Sequence, residues 1–487
     1  MSYRDLREYI HTLDQKGELT YIDAEVSSDL EITEITDRVS KKQGNALYFR
    51  NVKGSTFPVV TNLFGSYGRM ALSLSVDSVE EIATRIRELI NPEIPSSLID
   101  KIMMLPKLKE LAVCVPKKMK NAPCKDVVIK DSIDLGLLPV LKCWPSDGGA
   151  FVTLPLVFTN DLENSTRNCG MYRMQIFDKN KTGMHWHVNK DGKTHYAQYK
   201  KAGRKMPVAV VIGAEPEVIY AATAPLPYDI DEMMFAGFLK KKPVKMVKCE
   251  TIDIEVPASA EFVLEGYIDP EETRTEGPFG DHTGFYSPED TFPVFTVTCI
   301  THRKDAIYPA TVVGKPPMED CYMAKATERI FLPLMKMQHP EIVDINLPIE
   351  GVFHNCAVVS IKKQYPGHAR KVVYGLWGMG QMSSTKIIIV VEDDVDVQDL
   401  SDVAWRAFNF IDPKRDVFFA QGPSDELEHA TSQLRLGTKI GIDATRKTPE
   451  EGMARPWPDE IKMSEEVIEM VNKKWEEYGI TLDKKVR

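Results

Sequence analysis

The chain has 487 residues, of which 43% are hydrophobic and 27% are charged, and its formal net charge at pH 7 is −10. This composition is typical of a soluble globular protein of about three domains, because one domain usually holds roughly 100–200 residues. The acidic balance argues against a nucleic-acid-binding protein, since phosphate contacts need a basic face. It does not exclude a small anionic substrate, which a single arginine can bind.

The N-terminal stretch MSYRDLREYIHTLDQ contains charges of both signs and no continuous apolar run. It therefore predicts neither a secretory signal nor a membrane anchor. The longest apolar runs, such as 208–212 and 387–391, have the length of strands and are too short for a membrane span. The eight cysteines form no CxxC pair, which is typical of reduced thiols and predicts a cytoplasmic protein.

The first segment of the chain, up to about residue 115, has the patterns of amphipathic helices mixed with short strands. Ser78 and Glu81 form a capping-box pattern before apolar residues at helical spacing, and Asn91-Pro92 should end this helix. The Lys- and Pro-containing stretch VCVPKKMKNAPCK indicates a domain boundary near residue 115.

Residues from about 125 to 305 show a β pattern instead. Ile252, Ile254 and Val256 alternate with acidic residues, and the apolar residues of 295–299 alternate with Thr, as in half-buried strands. Many such runs between turns predict a barrel or a sandwich.

A helical pattern over residues 324–337 returns after Pro316-Pro317, and the strand-like runs AVVSI and KIIIVV follow. This alternation predicts an α/β or α+β domain. Residues 449–458 are predicted to be a linker. An apolar stripe from Val467 to Tyr478 then predicts a terminal helix, closed by Gly479, that docks on the chain itself or on a second subunit.

The densest group of chemically capable side chains comprises NCGMYR (168–173) and MHWH (184–187). On a strand, His185 and His187 would share one face, a geometry common in metal sites, although two histidines without a metal fit the spacing equally well. There is no HExxH and no Cys/His zinc pattern. If a metal binds, an amide oxygen, an imidazole and a carboxylate would suit Mn²⁺ or Mg²⁺.

A second group, EGPFGDHTG, holds Glu276 and Asp281 in a Gly- and Pro-rich loop. Two crowded carboxyl groups raise each other's pKa and a nearby Arg lowers it, so one can donate a proton while the other pairs with the Arg. A solvated loop with two unrelated acids is the alternative. A third group, residues 362–386, combines basic, hydroxyl and Gly residues suited to a phosphate, but matches neither a Walker A loop nor a dinucleotide fingerprint.

Taken together, these segments resemble the UbiD family of reversible decarboxylases, in order, up to about residue 446. The resemblance rests on GMYRMQIFDKNKTGMHWH, EVPASAEFVLEGYI, EGPFGDHTGFYSPEDTFPVFTVT and IKKQYPGHARKV. It implies an α+β fold with an N-terminal α/β domain (1–115) and a central split β-barrel that binds prenylated flavin mononucleotide, prFMN (116–310). A C-terminal α/β oligomerisation domain with a linker and a terminal helix (320–487) would follow.

The same resemblance implies the site residues. Those expected to act in catalysis are Arg173, Glu276 and Asp281. A divalent metal, with Mn²⁺ the first choice and K⁺ a further candidate ion, would bind Asn168, His185 and Glu232. The cofactor would contact Met171, Tyr172, Arg173, His185, Trp186, His187 and Lys386. The chain departs from the family pattern at Ser383-Ser384, where bulkier apolar residues are expected, and at His187, where Gln is expected, which bears on the shape of the pocket.

The implied activity is that of a carboxy-lyase, a non-oxidative and reversible decarboxylase of an aromatic or unsaturated acid. VGKPPMEDCYMAKATERIFLPL and LPIEGVFHNCAVVSI resemble the branch linked to menaquinone biosynthesis by the futalosine route, whose expected substrate is of the 1,4-dihydroxy-6-naphthoate type. Hydroxybenzoates, phenazine carboxylates and polycyclic carboxylates are alternatives. The implied partners are a flavin prenyltransferase, which supplies the cofactor, and further copies of the chain in a dimer or hexamer.

Three rival interpretations belong to other functional classes: a non-catalytic subunit of a carboxylase complex, an ordinary flavin oxidoreductase and a binding protein for an aromatic acid. The presence of Arg173, Glu276 and Asp281 counts against the first. The implied metal ligands Asn168 and Glu232 have no purpose in the second. The third would need neither the acid pair nor residues for a cofactor phosphate.

Overall fold

The structure is a computed structural model, and it describes residues 2–90, 113–186, 190–228 and 230–480. The protein has a mixed α+β fold built on three larger sheets. Within the described residues, no helix is both long enough and apolar enough to cross a bilayer.

The α helices are α1 (Leu6–Gln15), α2 (Glu31–Lys41), α3 (Tyr67–Ser73), α4 (Glu80–Ile90), α5 (Asp191–Lys201), α6 (Pro216–Ala221), α7 (Glu232–Lys240), α8 (Glu319–Gln338), α9 (His368–Trp377), α10 (Leu400–Phe410), α11 (Pro413–Asp416) and α12 (Glu465–Lys473). The strands are β1 (Leu19–Val26), β2 (Ala46–Val52), β3 (Val59–Thr61), β4 (Lys117–Met119), β5 (Val127–Ile129), β6 (Phe151–Val152), β7 (Pro155–Asn160), β8 (Arg167–Met171), β9 (Met174–Asp178), β10 (Lys181–Gly183), β11 (Met206–Ile212), β12 (Lys245–Lys248), β13 (Glu255–Pro257), β14 (Phe262–Glu276), β15 (Phe279–Gly280), β16 (Tyr286–Ser287), β17 (Asp290–His302), β18 (Tyr308–Pro309), β19 (Ile342–Asn346), β20 (Cys356–Ile361), β21 (Ile387–Glu392), β22 (Val417–Pro423) and β23 (Leu436–Asp443).

The N-terminal sheet has the order β1-β2-β3-β18. Its last strand comes from far along the chain, and β18 pairs with β3 in parallel. The helix α1 begins at the N-cap Asp5, whose carboxylate accepts the N–H of Glu8, and it buries Leu6, Tyr9 and Leu13. The chain therefore returns to the N-terminal sheet after it has built the central region.

The central sheet has nine strands in the order β6-β9-β10-β17-β14-β11-β7-β8, with β5 also paired to β17, and it curls into a half-barrel. β14 and β17 pair in antiparallel fashion and are its longest strands. Side chains of this sheet contribute to two apolar clusters, one of which includes residues of α1, α3 and α4 and the other Ile32 of α2. A separate short hairpin, β15 with β16, follows β14 and reaches the candidate site.

The C-terminal sheet has the order β19-β20-β21-β23-β22, in which β20, β21 and β23 run parallel. Apolar residues of α9, including Val372, Val373 and Leu376, are buried in one cluster with β19–β21. Val403 and Ala407 of α10 belong to another cluster, together with Val358 and Val391.

Several predicted elements are confirmed. The helix predicted over 324–337 lies within α8. The predicted strand AVVSI lies in β20, and KIIIVV lies in β21 except for its first residue, Lys386. The alternation over 295–299 lies in β17. In the predicted capping box, Glu81 Oε1 accepts the N–H of Ser78 at 3.3 Å, whereas the Ser78 hydroxyl accepts the N–H of Glu80 instead of that of Glu81. The predicted end of this helix at Asn91-Pro92 lies outside the described residues.

Two predicted elements are wrong in extent. The alternation from Ile252 to Val256 predicts one strand, but β13 begins only at Glu255. The carboxylate of Glu265 accepts hydrogen bonds from the N–H groups of Glu250 and Thr251. These backbone groups, just before Ile252, are therefore not free to pair with a neighbouring strand. The terminal helix ends at Lys473, six residues before Gly479, and no residue of α12 is buried in the single chain.

Candidate active site

Arg173 lies between β8 and β9 and connects three polar side chains. Its Nε donates to Glu276 Oε1 at 3.1 Å, its Nη2 donates to Ser287 Oγ at 3.1 Å, and its Nη1 donates to Asp281 Oδ2. The ring of Phe279 lies 4.5 Å from the guanidinium carbon. The side chain of Arg173 is 11% exposed and that of Glu276 is fully buried. The structure therefore brings the predicted catalytic residues Arg173, Glu276 and Asp281 into one cluster.

The backbone between the two acids is held by side chains from the central region. Glu276 is the last residue of β14, and Gly277 has a φ of 101°, a left-handed conformation that favours glycine. The N–H of Gly277 donates to Gln175 Oε1 at 2.8 Å, and the N–H of Gly280 donates to Asp147 Oδ1 at 2.7 Å. These bonds fix the turn that carries both carboxylates towards the guanidinium.

His185 also belongs to this cluster. It follows β10 and does not lie in a strand, and its Nδ1 is 2.8 Å from Glu276 Oε1. Its ring centroid lies 4.2 Å from that of Phe292. Glu276 Oε1 thus contacts both His185 and Arg173, while Glu276 Oε2 has no hydrogen-bond partner in the part of the chain that the structure describes. The metal-binding role of His185 stays a prediction.

Asp281 uses its second oxygen to contact the next residue. Its Oδ1 lies 2.8 Å from both the backbone N and the Nδ1 of His282. Burial raises the pKa of Asp281, but the hydrogen bond and charge of His282 and the charge of Arg173 outweigh it and hold that pKa well below its usual range. Burial lowers the pKa of His282, but its hydrogen bond to Asp281 and the charges of nearby acids, Asp281 first among them, together outweigh burial and raise that pKa above its usual value.

Asn168 and Glu232, the two predicted oxygen ligands of a metal, are both buried. Asn168 lies in β8, where its Nδ2 is 3.5 Å from Thr159 Oγ1. Glu232 begins α7, and its Oε2 accepts the N–H of Cys169 at 2.9 Å, which joins the helix to β8. Burial raises the pKa of Glu232 to about 8.

No three His, Cys, Asp or Glu side chains within the described ranges are arranged to hold a metal ion. A metal beside Glu232 would therefore include other oxygen donors, for which the buried amide of Asn168 is suited.

Trp186 presents a buried donor. Its side chain is 2% exposed, and its indole Nε1 has no hydrogen-bond partner among the described residues. The ring packs against Tyr196 at 5.3 Å and edge-on to Tyr172 at 6.4 Å. A Cβ at Gly192, in the first turn of α5, would lie 2.9 Å from the same Nε1. An unpaired indole N–H in this position fits an acceptor group of a bound molecule.

The other predicted cofactor residues have mixed placements. Tyr172 is buried, and Met171 is half-buried at the end of β8. Lys386 precedes β21, and its Nζ donates to Glu428 Oε2 at 2.6 Å. His187 lies outside the described residues.

A cavity of about 190 Å³ separates the β15–β16 hairpin from a C-terminal segment near residues 426–434. Ser287, which binds Arg173, lines this cavity, and so does Glu428, which binds Lys386. Phe285 and His429 face each other at 4.2 Å between ring centroids. The full lining is Thr283, Phe285, Tyr286, Ser287, Pro288, Glu426, Leu427, Glu428, His429 and Leu434. The guanidinium cluster thus lies beside a cavity with aromatic walls.

Three models of one family match the chain in sequence order. They describe the N-terminal domain (residues 10–86), the Rift-related domain (116–316) and the C-terminal domain (321–444) of UbiD, 3-octaprenyl-4-hydroxybenzoate carboxy-lyase. An uncharacterized protein of Archaeoglobus fulgidus is 51% identical over 479 residues, which cover 98% of this chain and 99% of that protein. An uncharacterized protein of Aquifex aeolicus is 49% identical over 481 residues, with the same coverage. The chain belongs to the UbiD family.

Solved structures of UbiD-class enzymes share the fold. The closed form of vanillic acid decarboxylase from Sedimentibacter hydroxybenzoicus has a TM-score of 0.85 and 28% identity, covering 99% of this chain and 100% of that chain. HmfF from Pelotomaculum thermopropionicum in complex with FMN has a TM-score of 0.77 and 28% identity, covering 93% and 97%. An evolved dimeric form of HmfF in complex with prFMN has a TM-score of 0.78 and 28% identity, covering 95% and 99%.

Sequence reasoning missed several residues of this UbiD-family site. Ser287 and His282 lie close in sequence to the predicted acids, so their position in the same loop could have indicated that they belong to the site. Gln175 and Asp147 hold the loop from other strands and loops, and no local pattern marks them. His354, which contacts His282 with 2.9 Å between the two Nε2 atoms, is 72 residues away in the chain.

Proposed function

We propose that this UbiD-family chain is a carboxy-lyase that decarboxylates an aromatic or unsaturated carboxylic acid, non-oxidatively and reversibly, with prFMN and a divalent metal. The observation that carries the proposal is the buried guanidinium of Arg173, shared by Glu276 and Asp281 beside a cavity with aromatic walls. This arrangement suits a reaction in which a carboxylate is bound and a proton is delivered next to it.

Arg173 would bind the substrate carboxylate. A guanidinium presents several N–H donors in one plane and matches a carboxylate with two parallel hydrogen bonds. Glu276 binds the Nε and Ser287 binds the Nη2 of Arg173, at 3.1 Å each, so the plane of the guanidinium is set before the substrate arrives. The aromatic part of the substrate would lie towards Phe285 and His429.

Asp281 would deliver the proton that replaces CO2. In the ligand-free protein its low pKa keeps it ionised. A substrate anion on Arg173 adds a negative charge beside Asp281 and partly occupies its cationic partner, and both effects raise the pKa of its carboxyl group. Bound prFMN would supply the electron sink for the carbon that loses CO2.

The buried residues fit both prosthetic groups. The amide of Asn168 and the carboxylate of Glu232 provide oxygen donors suited to Mn²⁺, with His185 as the predicted third ligand and K⁺ as a further candidate ion. The indole N–H of Trp186 provides an unused donor for the cofactor. Met171, Tyr172, His187 and Lys386 complete the proposed cofactor contacts.

For the substrate, we favour an acid of the 1,4-dihydroxy-6-naphthoate type in menaquinone biosynthesis, because two C-terminal segments resemble that branch of the family. The similarity to vanillic acid decarboxylase supports a second candidate, a phenolic acid such as a hydroxybenzoate. Phenazine and polycyclic carboxylates complete the set to be tested. The assembled cluster of Arg173, Glu276 and Asp281 argues against a non-catalytic subunit.

We also propose that the chain forms a homo-oligomer and receives its cofactor from a flavin prenyltransferase. Apolar side chains on and around α12 are exposed in the single chain, namely Ile461, Met463, Ile468, Met470, Trp475, Tyr478 and Ile480. A surface of this kind favours burial against another copy. Light scattering should give a dimer or hexamer for the full chain and a smaller species for Ile468→Glu, and a monomeric full chain would contradict the proposal.

The activity is tested by turnover of the loaded protein. The chain would be co-expressed with a flavin prenyltransferase, purified without air and supplied with Mn²⁺. It would then be incubated with 1,4-dihydroxy-6-naphthoate, vanillate, 4-hydroxybenzoate and a phenazine carboxylate. We expect CO2 release from at least one of these acids and none from the Arg173→Leu variant. A loaded wild-type chain that releases no CO2 from the whole set would contradict the proposal.

A further inference from the structure

Asp281 is the first member of a chain of hydrogen bonds that leaves the proposed catalytic cluster. His282 Nδ1 lies 2.8 Å from Asp281 Oδ1, and His282 Nε2 lies 2.9 Å from His354 Nε2. His282 belongs to the loop after β15, while His354 precedes β20 in the C-terminal region. The two imidazoles therefore connect the proposed proton donor to a different part of the fold.

The surroundings of His354 fix the relative position of the two rings. Phe353 stacks on His282 with 5.1 Å between ring centroids. Val352 and Phe353 have φ values of 47° and 49°, left-handed conformations that side chains with a Cβ rarely adopt and a branched side chain adopts least. Strained backbone of this kind persists where the surrounding contacts over-determine it. The strained turn places His354 against His282.

The contact between the imidazoles shares one hydrogen. In a hydrogen bond between two Nε2 atoms, only one of them carries the proton and the other accepts it. His354 Nδ1 is buried and has no partner among the residues that the structure describes. The pair thus has three places for hydrogen, namely His282 Nδ1, the shared Nε2 contact and His354 Nδ1. Two neutral rings fill two of these places, so the pair can bind one extra proton. The ring nitrogen that faces Asp281 is His282 Nδ1.

We propose that His282 is the immediate proton source for Asp281 and that His354 is a positioning residue that orients His282 and helps it to hold the proton. The His282 Nδ1–H bond breaks as an O–H bond forms on the Asp281 carboxylate, and that proton then bonds to the carbon that has lost CO2. One proton from water restores the pair between turnovers. This inference rests on the proposed function, because decarboxylation consumes one proton per turnover.

The charges around the pair agree with this assignment. Asp281 lies on one side of His282, and Asp320 at the start of α8 and Asp425 of the C-terminal region also raise its pKa. Burial and the charge of His282 lower the pKa of His354 to about 4, although Asp425, Asp281 and Glu428 oppose this. The extra proton therefore resides on His282, one transfer away from Asp281.

The hydrogen bonds themselves are tested in the unloaded wild-type protein, labelled with ¹⁵N-histidine. Long-range proton–nitrogen correlation spectra of the ring nitrogens would be assigned with the His282→Gln and His354→Gln variants. We expect a protonated His282 Nδ1 near neutral pH and a neutral His354. A His282 ring without hydrogen on Nδ1, or a charged His354 beside a neutral His282, would overturn the inference.

The role in turnover is tested in the loaded protein with whichever acid of the set above reacts. His282→Gln keeps a hydrogen-bonding side chain but cannot titrate, so kcat should fall by about 10²-fold while KM changes little, the scale of general acid catalysis. His354→Leu should lower kcat by about 10-fold, and His354→Gln should recover part of this loss because its amide can again bond His282 Nε2. His11→Gln, on the exposed face of α1, is the control for histidine loss.

The pH profile separates a proton source from a purely structural residue. Because the donor must be protonated, wild-type kcat should fall as pH rises through the raised pKa of His282, and this limb should be absent in His282→Gln. Melting temperature and flavin content identify variants that fail to fold or load. If both His282→Gln and His354→Leu kept wild-type kcat and pH profile, the inference would be wrong while the proposed function stood. A wild-type chain without turnover would instead contradict the proposed function, and the ring-nitrogen spectra would still decide the hydrogen-bond chain.

Discussion

Two buried carboxylate centres of this UbiD-family chain differ in how their charge is balanced. Around Arg173, the acids Glu276 and Asp281 contact one guanidinium, and His185 and His282 each add a second contact. Around Glu232, burial and the charges of Asp231 and Asp191 together raise the pKa of that carboxyl group to about 8, although backbone hydrogen bonds oppose them. The chain supplies positively charged partners to the acids of the first centre, whereas it places further negative charges near the acid of the second centre.

This difference indicates two modes of operation. The first centre is assembled before any ligand binds, and it changes when a substrate anion competes for Arg173. The second centre has a buried acid that is more stable when neutral, and a bound cation would make its ionised form favourable. The comparison therefore predicts that substitutions at the first centre affect turnover, whereas those at the second affect metal and cofactor retention.

The largest effect is expected from Asp281→Asn. The amide keeps the size of the side chain and can still contact Arg173, but it cannot donate the proton, so kcat should fall by about 10³-fold. Bound flavin and metal should stay at wild-type levels, as measured by absorbance and elemental analysis. Turnover at the wild-type rate would remove Asp281 from the proposed proton pathway.

Glu232→Ala tests the other centre. Loss of this proposed oxygen ligand should weaken metal binding by about 10²-fold and reduce cofactor retention, the scale seen when groups supporting a metal site are removed. Metal and flavin content after gel filtration are the measurements. Glu163→Ala, an exposed acid outside both centres, is the matched control. Full metal and flavin content in Glu232→Ala would contradict the separation of the two centres.

The stability of the metal-free protein should depend on pH through Glu232. Its folded-state pKa, about 8, is above the usual 4.5, so its contribution to the free energy of unfolding is complete below about pH 4.5 and is lost as pH rises through about 8. The melting temperature of the wild type, relative to that of Glu232→Gln, should therefore fall between about pH 5 and pH 8.5. Saturating Mn²⁺ should reverse this fall at the higher pH. Equal pH dependence in the two proteins would show that Glu232 is ionised without a metal.

The smallest effect is expected from Ser287→Ala. Arg173 loses one of the three side chains to which it donates hydrogen bonds among the described residues, but it keeps both acids. kcat/KM should therefore fall by about 10-fold, the low end for a hydrogen bond to a charged group. Bound metal should not change, because Ser287 belongs to the first centre alone. A loss as large as that of Asp281→Asn would mean that Ser287 does more than hold the guanidinium.

The sequence predicts the loop that carries the reactive acids better than the residues that hold this loop in place. Glu276 and Asp281 stand five residues apart in a distinctive motif, and β14 and the β15–β16 hairpin turn both towards Arg173. Gln175 and Asp147 hold that turn through backbone N–H groups, and such contacts leave no periodic signal in the chain. His354 reaches His282 only because the C-terminal region folds against the loop.

The errors in secondary structure have the same origin. The alternation that starts at Ile252 is as regular as that in β17, but the Glu265 carboxylate binds the backbone before β13 and displaces the ladder. The terminal helix ends at Lys473 and not near Gly479, and none of its residues is buried in one chain, so its predicted docking on a second subunit stays a prediction. Local patterns report what a segment can bury or bind, and tertiary contacts decide where it does so.

The most direct test of the central claim is the intact mass of the flavin released from the protein after co-expression with a flavin prenyltransferase and purification without air. We predict a flavin mononucleotide heavier by one C5 prenyl unit. Plain FMN, or no flavin, under conditions in which HmfF loads fully, would contradict the assignment of this chain as a prFMN-dependent decarboxylase.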